Sequence, residues 1–196
     1  MQVGKDNWMK LGRKRKSMRF PILETKRLKL VQVEKDHTQS FYDIMSRDEV
    51  TKYYGMESLK SIEDASKIVE SFQNTYESKR GIRWGIVLRE TGEFVGTLGL
   101  NNLSTWSKKA EIGFELHPSY WNKGITTEAV KEVLRYSFED LEIFRIGAIT
   151  YPQNEPSKQL LKRLGFKEEG LLRGYLYQNN QSHNALVFSL LRTEWQ

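Results

Sequence analysis

The chain has 196 residues, 38% of them hydrophobic and 29% charged, enough for one domain with a substantial core. It contains no cysteine, which excludes disulfides, thiolate metal sites and a cysteine-bound acyl intermediate, and no apolar run approaches the ~20 residues of a membrane span. The formal charge of +6 lies in residues 1–19, where Lys5, Lys10, Arg13, Lys14, Arg15, Lys16 and Arg19 face Asp6 alone, and the charges of the remaining chain balance.

That basic stretch lacks the apolar segment of a signal peptide. It reads as an arm that visits RNA or the ribosome, as sequence preceding a start at Met18, or as a surface helix. A dispensable arm over 1–19, followed by a single domain over 20–196, is the expected organisation, because Met18-Arg19-Phe20-Pro21 leads straight into patterned sequence. The absence of cysteine fits a cytoplasmic setting.

Leu23 to Val33 is expected to form the first strand, with Leu28, Leu30 and Gln32 on one face. A helix follows from about His37 to Met45, with Phe41, Ile44 and Met45 on its apolar face. After a break around Asp48 to Gly55, a longer helix runs from Ile62 to about Glu77. Trp84–Leu88 and Phe94–Leu100 are strands joined by the turn residues Glu90-Thr91-Gly92-Glu93. Ala110-Glu111-Ile112-Gly113-Phe114-Glu115-Leu116 alternates apolar and non-apolar residues, the mark of a strand with one buried face. Gly96 and Gly99 are too sparse for a nucleotide loop, and no Gly-x-x-x-x-Gly-Lys-Ser/Thr sequence occurs.

The character then changes abruptly. Pro118-Ser119-Tyr120-Trp121-Asn122-Lys123-Gly124 is a loop, and Val130, Val133, Leu134, Ser137 and Leu141 recur at helical spacing, so a helix leaves the loop at about Thr126. A helix N-terminus presents unpaired N–H groups and partial positive charge, and phosphate suits such a place. Gly124 permits positive φ and close approach, Asn122 tolerates left-handed backbone, Lys123 adds charge, and Thr126 and Thr127 add hydroxyls. The plainer reading is an ordinary connection that contains glycine. Further on, a strand ends at Tyr151, a helix runs from Asn154 to Leu164, and Gly165-Phe166 closes it. Lys167–Tyr177 and Ala185–Leu191 make a last strand pair, with residues 178–183 as their loop.

Trp121-x-x-Gly124-x-Thr126-Thr127-Glu128-Ala129, a helix, a strand leading to Asn154-x-x-Ser157, a short helix and Leu164-Gly165-Phe166 together resemble the GCN5-related N-acetyltransferase (GNAT) superfamily. Within it they are most similar to the Rim-type branch that acetylates ribosomal-protein N-termini. The likeness runs from about Leu23 to Trp195, and Thr25 and Arg27 resemble the family's opening Thr-x-Arg-Leu. It implies an α/β fold with a mixed, mostly antiparallel sheet of about six to seven strands, about four helices and a splayed parallel pair, formed by the strand before Pro118 and the strand ending at Tyr151. Acetyl-CoA is the implied cosubstrate, its arm bonding backbone near Phe114 and Leu116 and its phosphates meeting Trp121, Asn122, Lys123, Gly124, Ile125, Thr126 and Thr127. The two early helices would shape the acceptor side, where Tyr53, Tyr54, Phe72 and Tyr76 could line the site, although aromatic residues at helical spacing are more often core.

Acetyl transfer from a thioester to an amine needs a neutral amine, donors for an oxyanion and a proton or hydrogen bond for the departing thiolate. Ser157 matches the family position whose hydroxyl serves the sulfur, its plainer role being a helix-start residue; Asn154 is either the helix cap or a pantetheine contact. Glu111 and Glu115 share a strand face, and either could relay a proton through water, though such carboxylates are usually solvated or ion-paired. After Glu169-Gly170, where Rim-type relatives can carry an acidic residue, this chain has Arg173-Gly174-Tyr175-Leu176. Asn122 stands where glycine is common, Thr126 where Gly or Ala is usual, and His183-Asn184 where relatives often show His-Asp. His37, His117 and His183 have no metal-ligand spacing, so no metal is expected. The resulting expectation is direct acetyl transfer to a protein N-terminal α-amine, in a monomer or homodimer with a ribosome contact and no membrane partner. A small amine such as a polyamine or antibiotic is the next acceptor, and a non-catalytic acyl-CoA-binding or ribosome-associated module is the reading from another class.

Overall fold

A computed structural model describes residues 20–195; the basic arm expected over 1–19 lies outside the described residues, as does Gln196. In chain order the elements are β1 (Leu23–Glu24), β2 (Leu28–Gln32), α1 (Thr38–Met45), α2 (Asp48–Thr51), α3 (Ile62–Glu77), β3 (Ile82–Leu88), β4 (Phe94–Ser104), β5 (Lys109–Leu116), α4 (Ile125–Arg135), β6 (Arg145–Thr150), α5 (Glu155–Arg163), β7 (Lys167–Gln178) and β8 (Gln181–Leu191). The strands form one sheet in the order β1-β2-β3-β4-β5-β6-β8-β7, antiparallel throughout except for the parallel neighbours β5 and β6.

Alternation along the strands sorts side chains to the two faces of the sheet. On one face Leu28, Leu30, Trp84, Ile86, Leu98, Leu100, Ile112 and Leu116 share a core with Ile125, Ala129, Val130, Val133 and Leu134 of α4 and with Leu160 and Leu161 of α5. On the other, Val33 and Phe94 pack with Phe41, Ile44 and Met45 of α1 and Ala65 and Val69 of α3. Each large apolar side chain so buried contributes roughly 1.5–3 kcal/mol. No helix among the described residues is long and apolar enough to cross a membrane.

The sheet has eight strands where six to seven are expected, because the first predicted strand is broken in two. Thr25 N–H donates to Leu28 O at 2.9 Å and Leu28 N–H to Thr25 Oγ1 at 3.0 Å, turning the chain so that Leu23 pairs with Leu30. A fifth helix, α2, occupies the expected break after α1; it is a single turn braced by Ser58, whose hydroxyl donates to Asp48 Oδ1 at 2.5 Å. The helix expected to continue to Leu141 leaves α geometry after Arg135 for a π turn over Tyr136–Asp140, where the Leu141 N–H reaches Tyr136 O at 3.0 Å. The last strand pair closes through Asn179 and Asn180 alone rather than a six-residue loop. Both take positive φ, 53° and 57°, the handedness that a two-residue hairpin needs and asparagine tolerates.

Candidate active site

The parallel pair β5/β6 is joined only at Lys109↔Arg145, Ala110↔Ile146 and Glu111↔Gly147. Beyond Glu111 and Gly147 the two strands part, while β5 stays paired to β4 as far as Leu116 and β6 to β8 as far as Thr150. The His117 N–H bonds across to Val95 O on the β4 side at 2.8 Å, so alternation turns the main-chain groups of Phe114 and Leu116 toward the gap. Five residues of strand edge, at about 3.3 Å each, are thereby open, a length of roughly 16 Å. The Leu116 carbonyl is already taken: the Trp121 indole N–H donates to it at 2.8 Å, which ties the following loop to the end of β5. On β6, the buried Thr150 hydroxyl has no hydrogen-bond partner among the described residues. Leaving such a group unsatisfied costs about 1–3 kcal/mol.

At the mouth of this gap α4 begins. Asn122 and Gly124 both adopt left-handed backbone, φ 60° and 73°, and the helix start has no side-chain cap. Its first α-type bond runs from Glu128 N–H to Gly124 O at 3.1 Å, so the N–H groups of Ile125, Thr126 and Thr127 have no acceptor within the helix. The Ile125 side chain is core, so only its backbone can serve an anion; Thr126 and Thr127 are half-buried, and Trp121, Asn122, Lys123 and Gly124 are exposed. Lys123 Nζ lies 5.2 Å from the centre of the Tyr120 ring. Loop and helix are clamped from the β1–β2 turn. Glu128 accepts from Thr25 Oγ1 at 2.6 Å, Arg27 N at 2.9 Å and Arg27 Nε at 2.6 Å, and Arg27 Nη1 donates to Lys123 O at 2.9 Å. Burial disfavours the Glu128 carboxylate, but these hydrogen bonds outweigh it and hold its pKa below the ordinary value. Thr25, Arg27 and Glu128, two separate motif fragments in the sequence, are one structural unit.

Across the gap, Asn154 caps α5 by accepting the Ser157 N–H at 3.3 Å. The cap role is therefore observed for Asn154, leaving its amide nitrogen without a partner among the described residues. Ser157 is half-buried in the first turn, three and four residues before Leu160 and Leu161, and so on the helix face that packs against the sheet.

The two glutamates part company. Glu111 stands at the closed end of the gap, half-buried, accepting from Asn102 Nδ2 at 3.0 Å. Glu115 is buried beneath α3 with both carboxylate oxygens engaged, Oε2 by Arg83 and Oε1 by Thr97. Its carboxylate is the buried partner of Arg83, so the relay expected of it would have to compete with those two bonds. Arg83 also donates from Nε to Thr97 Oγ1 at 2.7 Å, from Nη1 to Gly113 O at 3.3 Å and from Nη2 to Tyr54 Oη at 2.6 Å, with Phe72 packed 5.6 Å from its guanidinium. Gly99 makes room, since a Cβ there would stand 2.7 Å from Arg83 Cδ and 2.5 Å from Ile82 O. Burial works against charge on Arg83, yet Glu115 and Tyr54 more than compensate and its pKa is raised; burial also lifts the Tyr54 phenol well above its ordinary range. Of the aromatic residues expected on the acceptor side, Tyr54 and Phe72 belong to this network, and Tyr76 packs against Phe20 at a tilt of 59°, their ring centres 4.9 Å apart. Tyr53 packs on Tyr151, their ring centres 5.7 Å apart. The Ile82-Arg83-Trp84 pattern carried the missed signal: a charge inside an apolar strand requires a buried counter-charge, and Phe114-Glu115-Leu116 supplied one.

The family profile described as "Acetyltransferase (GNAT) domain" matches residues 27–167. The chain is 43% identical over 173 residues to "Uncharacterized N-acetyltransferase YoaA" of Bacillus subtilis, covering 88% of this chain and 98% of that protein. It is 35% identical over 129 residues to "Putative ribosomal N-acetyltransferase YdaF" of the same organism, covering 66% and 69% respectively. Among solved structures, spermidine N-acetyltransferase from Vibrio cholerae in complex with CoA and spermine superposes with a TM-score of 0.76 at 18% identity, covering 87% of this chain and 98% of that one.

Proposed function

The chain belongs to the GNAT acetyltransferase family and is an N-acetyltransferase; on that premise we propose that it moves acetyl from acetyl-CoA to the N-terminal α-amine of a protein, directly, in a ternary complex in the cytoplasm. The observation that carries this reading is the uncapped, left-handed start of α4 standing at the mouth of a parted parallel strand pair. The α4 start offers donors to a pyrophosphate, and the open edge of β5 at Phe114 and Leu116 offers a strand's worth of backbone to an extended pantetheine arm. Thr150 Oγ1, otherwise orphaned, has a partner to gain from an amide-bearing arm in the gap. At Leu116 the N–H is the unengaged group, the carbonyl already accepting from Trp121.

An α-amine with a reference pKa of about 8 is partly neutral near neutral pH, so a water relay to Glu111 suffices and a dedicated buried base is not required. Ser157 donates its hydroxyl hydrogen to the departing sulfur. The protein α-amine is preferred as acceptor because the putatively ribosomal relative is 35% identical, whereas the likeness to the spermidine enzyme at 18% speaks for the fold alone. Mass spectrometry of a library of peptide N-termini and small amines incubated with acetyl-CoA tests this. Acetylation of polyamines but of no peptide would overturn the acceptor assignment, and acetyl-CoA binding without any acceptor-dependent turnover would favour a non-catalytic module.

The phosphate-loop assignment has its own test. Acetyl-CoA at 100 times its Kd should stabilise the native state by about 2.7 kcal/mol and raise Tm. Gly124→Val should abolish most of that rise, measured against the variant's own ligand-free Tm. Space is not the obstacle, since a Cβ at Gly124 would meet Arg27 Nη2 at an ordinary 3.5 Å; the obstacle is φ 73°, which a β-branched residue resists. A full ligand shift in the variant would refute the assignment.

A further inference from the structure

Gln178, the last residue of β7, is buried, and its amide spends its hydrogen-bonding capacity on one segment and one ring. Nε2 donates to Thr51 O at 2.9 Å and to Met56 O at 2.8 Å, while Oε1 accepts from Gly55 N at 3.2 Å and from Tyr151 Oη at 2.6 Å. The segment so held, residues 51–56, starts at the last residue of α2 and carries Tyr53 and Tyr54. Its other anchor is Tyr54 Oη, which accepts from Arg83 on β3 beside Glu115 of β5. The strap is thus fastened to both halves of the sheet that the gap separates: to β3 and β5 through Tyr54, and to β7 and the end of β6 through Gln178 and Tyr151. It crosses on the α1/α3 face, opposite α4 and α5. His183 completes the fastening, its Nε2 3.2 Å from Gln178 O and its ring 5.5 Å from that of Tyr151.

Resting on the acetyltransferase reading above, we propose that Gln178 is a positioning residue for the amine acceptor: it fixes the strap bearing Tyr53 and Tyr54 as the acceptor-side wall of the gap. The cosubstrate enters past the α4 start and occupies the strand edge, so the amine must approach the thioester from the face that the strap covers. Gln178 touches neither substrate. Its effect is exerted on where the wall stands, and hence on how closely an acceptor is aligned, for which small displacements are costly.

The test is steady-state kinetics on the full chain with an acetylated acceptor identified from the amine library, alongside acetyl-CoA titration by calorimetry. Gln178→Leu, which keeps volume and removes all four bonds, should raise acceptor KM at least tenfold and leave acetyl-CoA Kd within twofold of wild type. Tyr151→Phe, which deletes a single bond, should shift acceptor KM in the same direction by a few-fold, and it carries the test if the leucine variant does not fold. Unchanged acceptor KM with a lowered Tm would overturn the proposal, leaving Gln178 a structural brace. A parallel rise in acetyl-CoA Kd would also overturn it, since the strap would then shape the whole cleft. If wild-type protein turns over no amine, the transferase reading and this inference fall together; unaltered acceptor kinetics in variants of an active wild type sink this inference alone.

Discussion

Arg83→Leu is expected to lower the unfolding free energy by about 3–5 kcal/mol, a large part of the ~5–15 kcal/mol typical of a domain. The physical reason is asymmetric. The Arg83–Glu115 pair is nine-tenths buried on both sides, with Thr97, Tyr54 and Gly113 as its further partners. Removing the guanidinium strands a buried carboxylate with only the Thr97 and Tyr54 hydroxyls to compensate. Removing both charges is a different matter: Arg83→Leu combined with Glu115→Leu should recover much of the loss, because buried ion pairs are often matched by apolar replacements of similar volume. Urea unfolding with a common m-value reads this directly. A single-variant cost below about 1 kcal/mol, the range of an exposed pair, would contradict the burial of this network.

Ser157→Ala should lower kcat by about 10- to 1000-fold while acetyl-CoA affinity changes little. Negative charge reaches the CoA sulfur only as the thioester breaks, and a thiol with a reference pKa of about 8.5 gains most from a donor at that moment. Asn154→Ala is the necessary companion. Its loss removes the α5 cap, costs about 1 kcal/mol of stability and frees the Ser157 backbone, so a drop in kcat there would report misplacement rather than lost chemistry. Single-turnover rates separate the two. A wild-type rate in Ser157→Ala would make Ser157 a helix-start residue and nothing more.

Local patterns were readable wherever a segment's own periodicity decides its structure. The alternation of Ala110–Leu116, the helical spacing of Ile62–Glu77 and the left-handed pair Asn122 and Gly124 each announce what the backbone does there. The break at Thr25–Arg27 was not read, because Glu24-Thr25-Lys26-Arg27 contains none of the Gly, Pro, Asn or Asp residues that mark a turn, and the turn is made by a side chain, Thr25 Oγ1, accepting from Leu28 N–H. The π turn at Tyr136–Asp140 likewise keeps a helical composition while changing its bonding. For the candidate site, the loop's backbone was legible and its clamp was not: Glu128 meets Arg27 across 101 residues of chain. Gln178, bonded to Thr51 across 127 residues, leaves no trace in any local window. Glu115 shows the converse hazard, for strand parity put it on the right face but could not reveal that Arg83 waits there.

The three register pairs that join β5 to β6 make the sheet two panels sharing a short seam. One panel is β1 to β5 and the other is β6, β8 and β7, each with its own continuous ladder. With so short a seam, amide hydrogen exchange of the ligand-free protein is expected to find lower protection along the strand edges that flank the gap than inside either ladder. On the function proposed above, an extended pantetheine arm laid along the open edge would contribute the missing rung. Cosubstrate binding is then expected to raise amide protection on both sides of the gap together, coupling the two ladders through a strand that the chain itself does not supply.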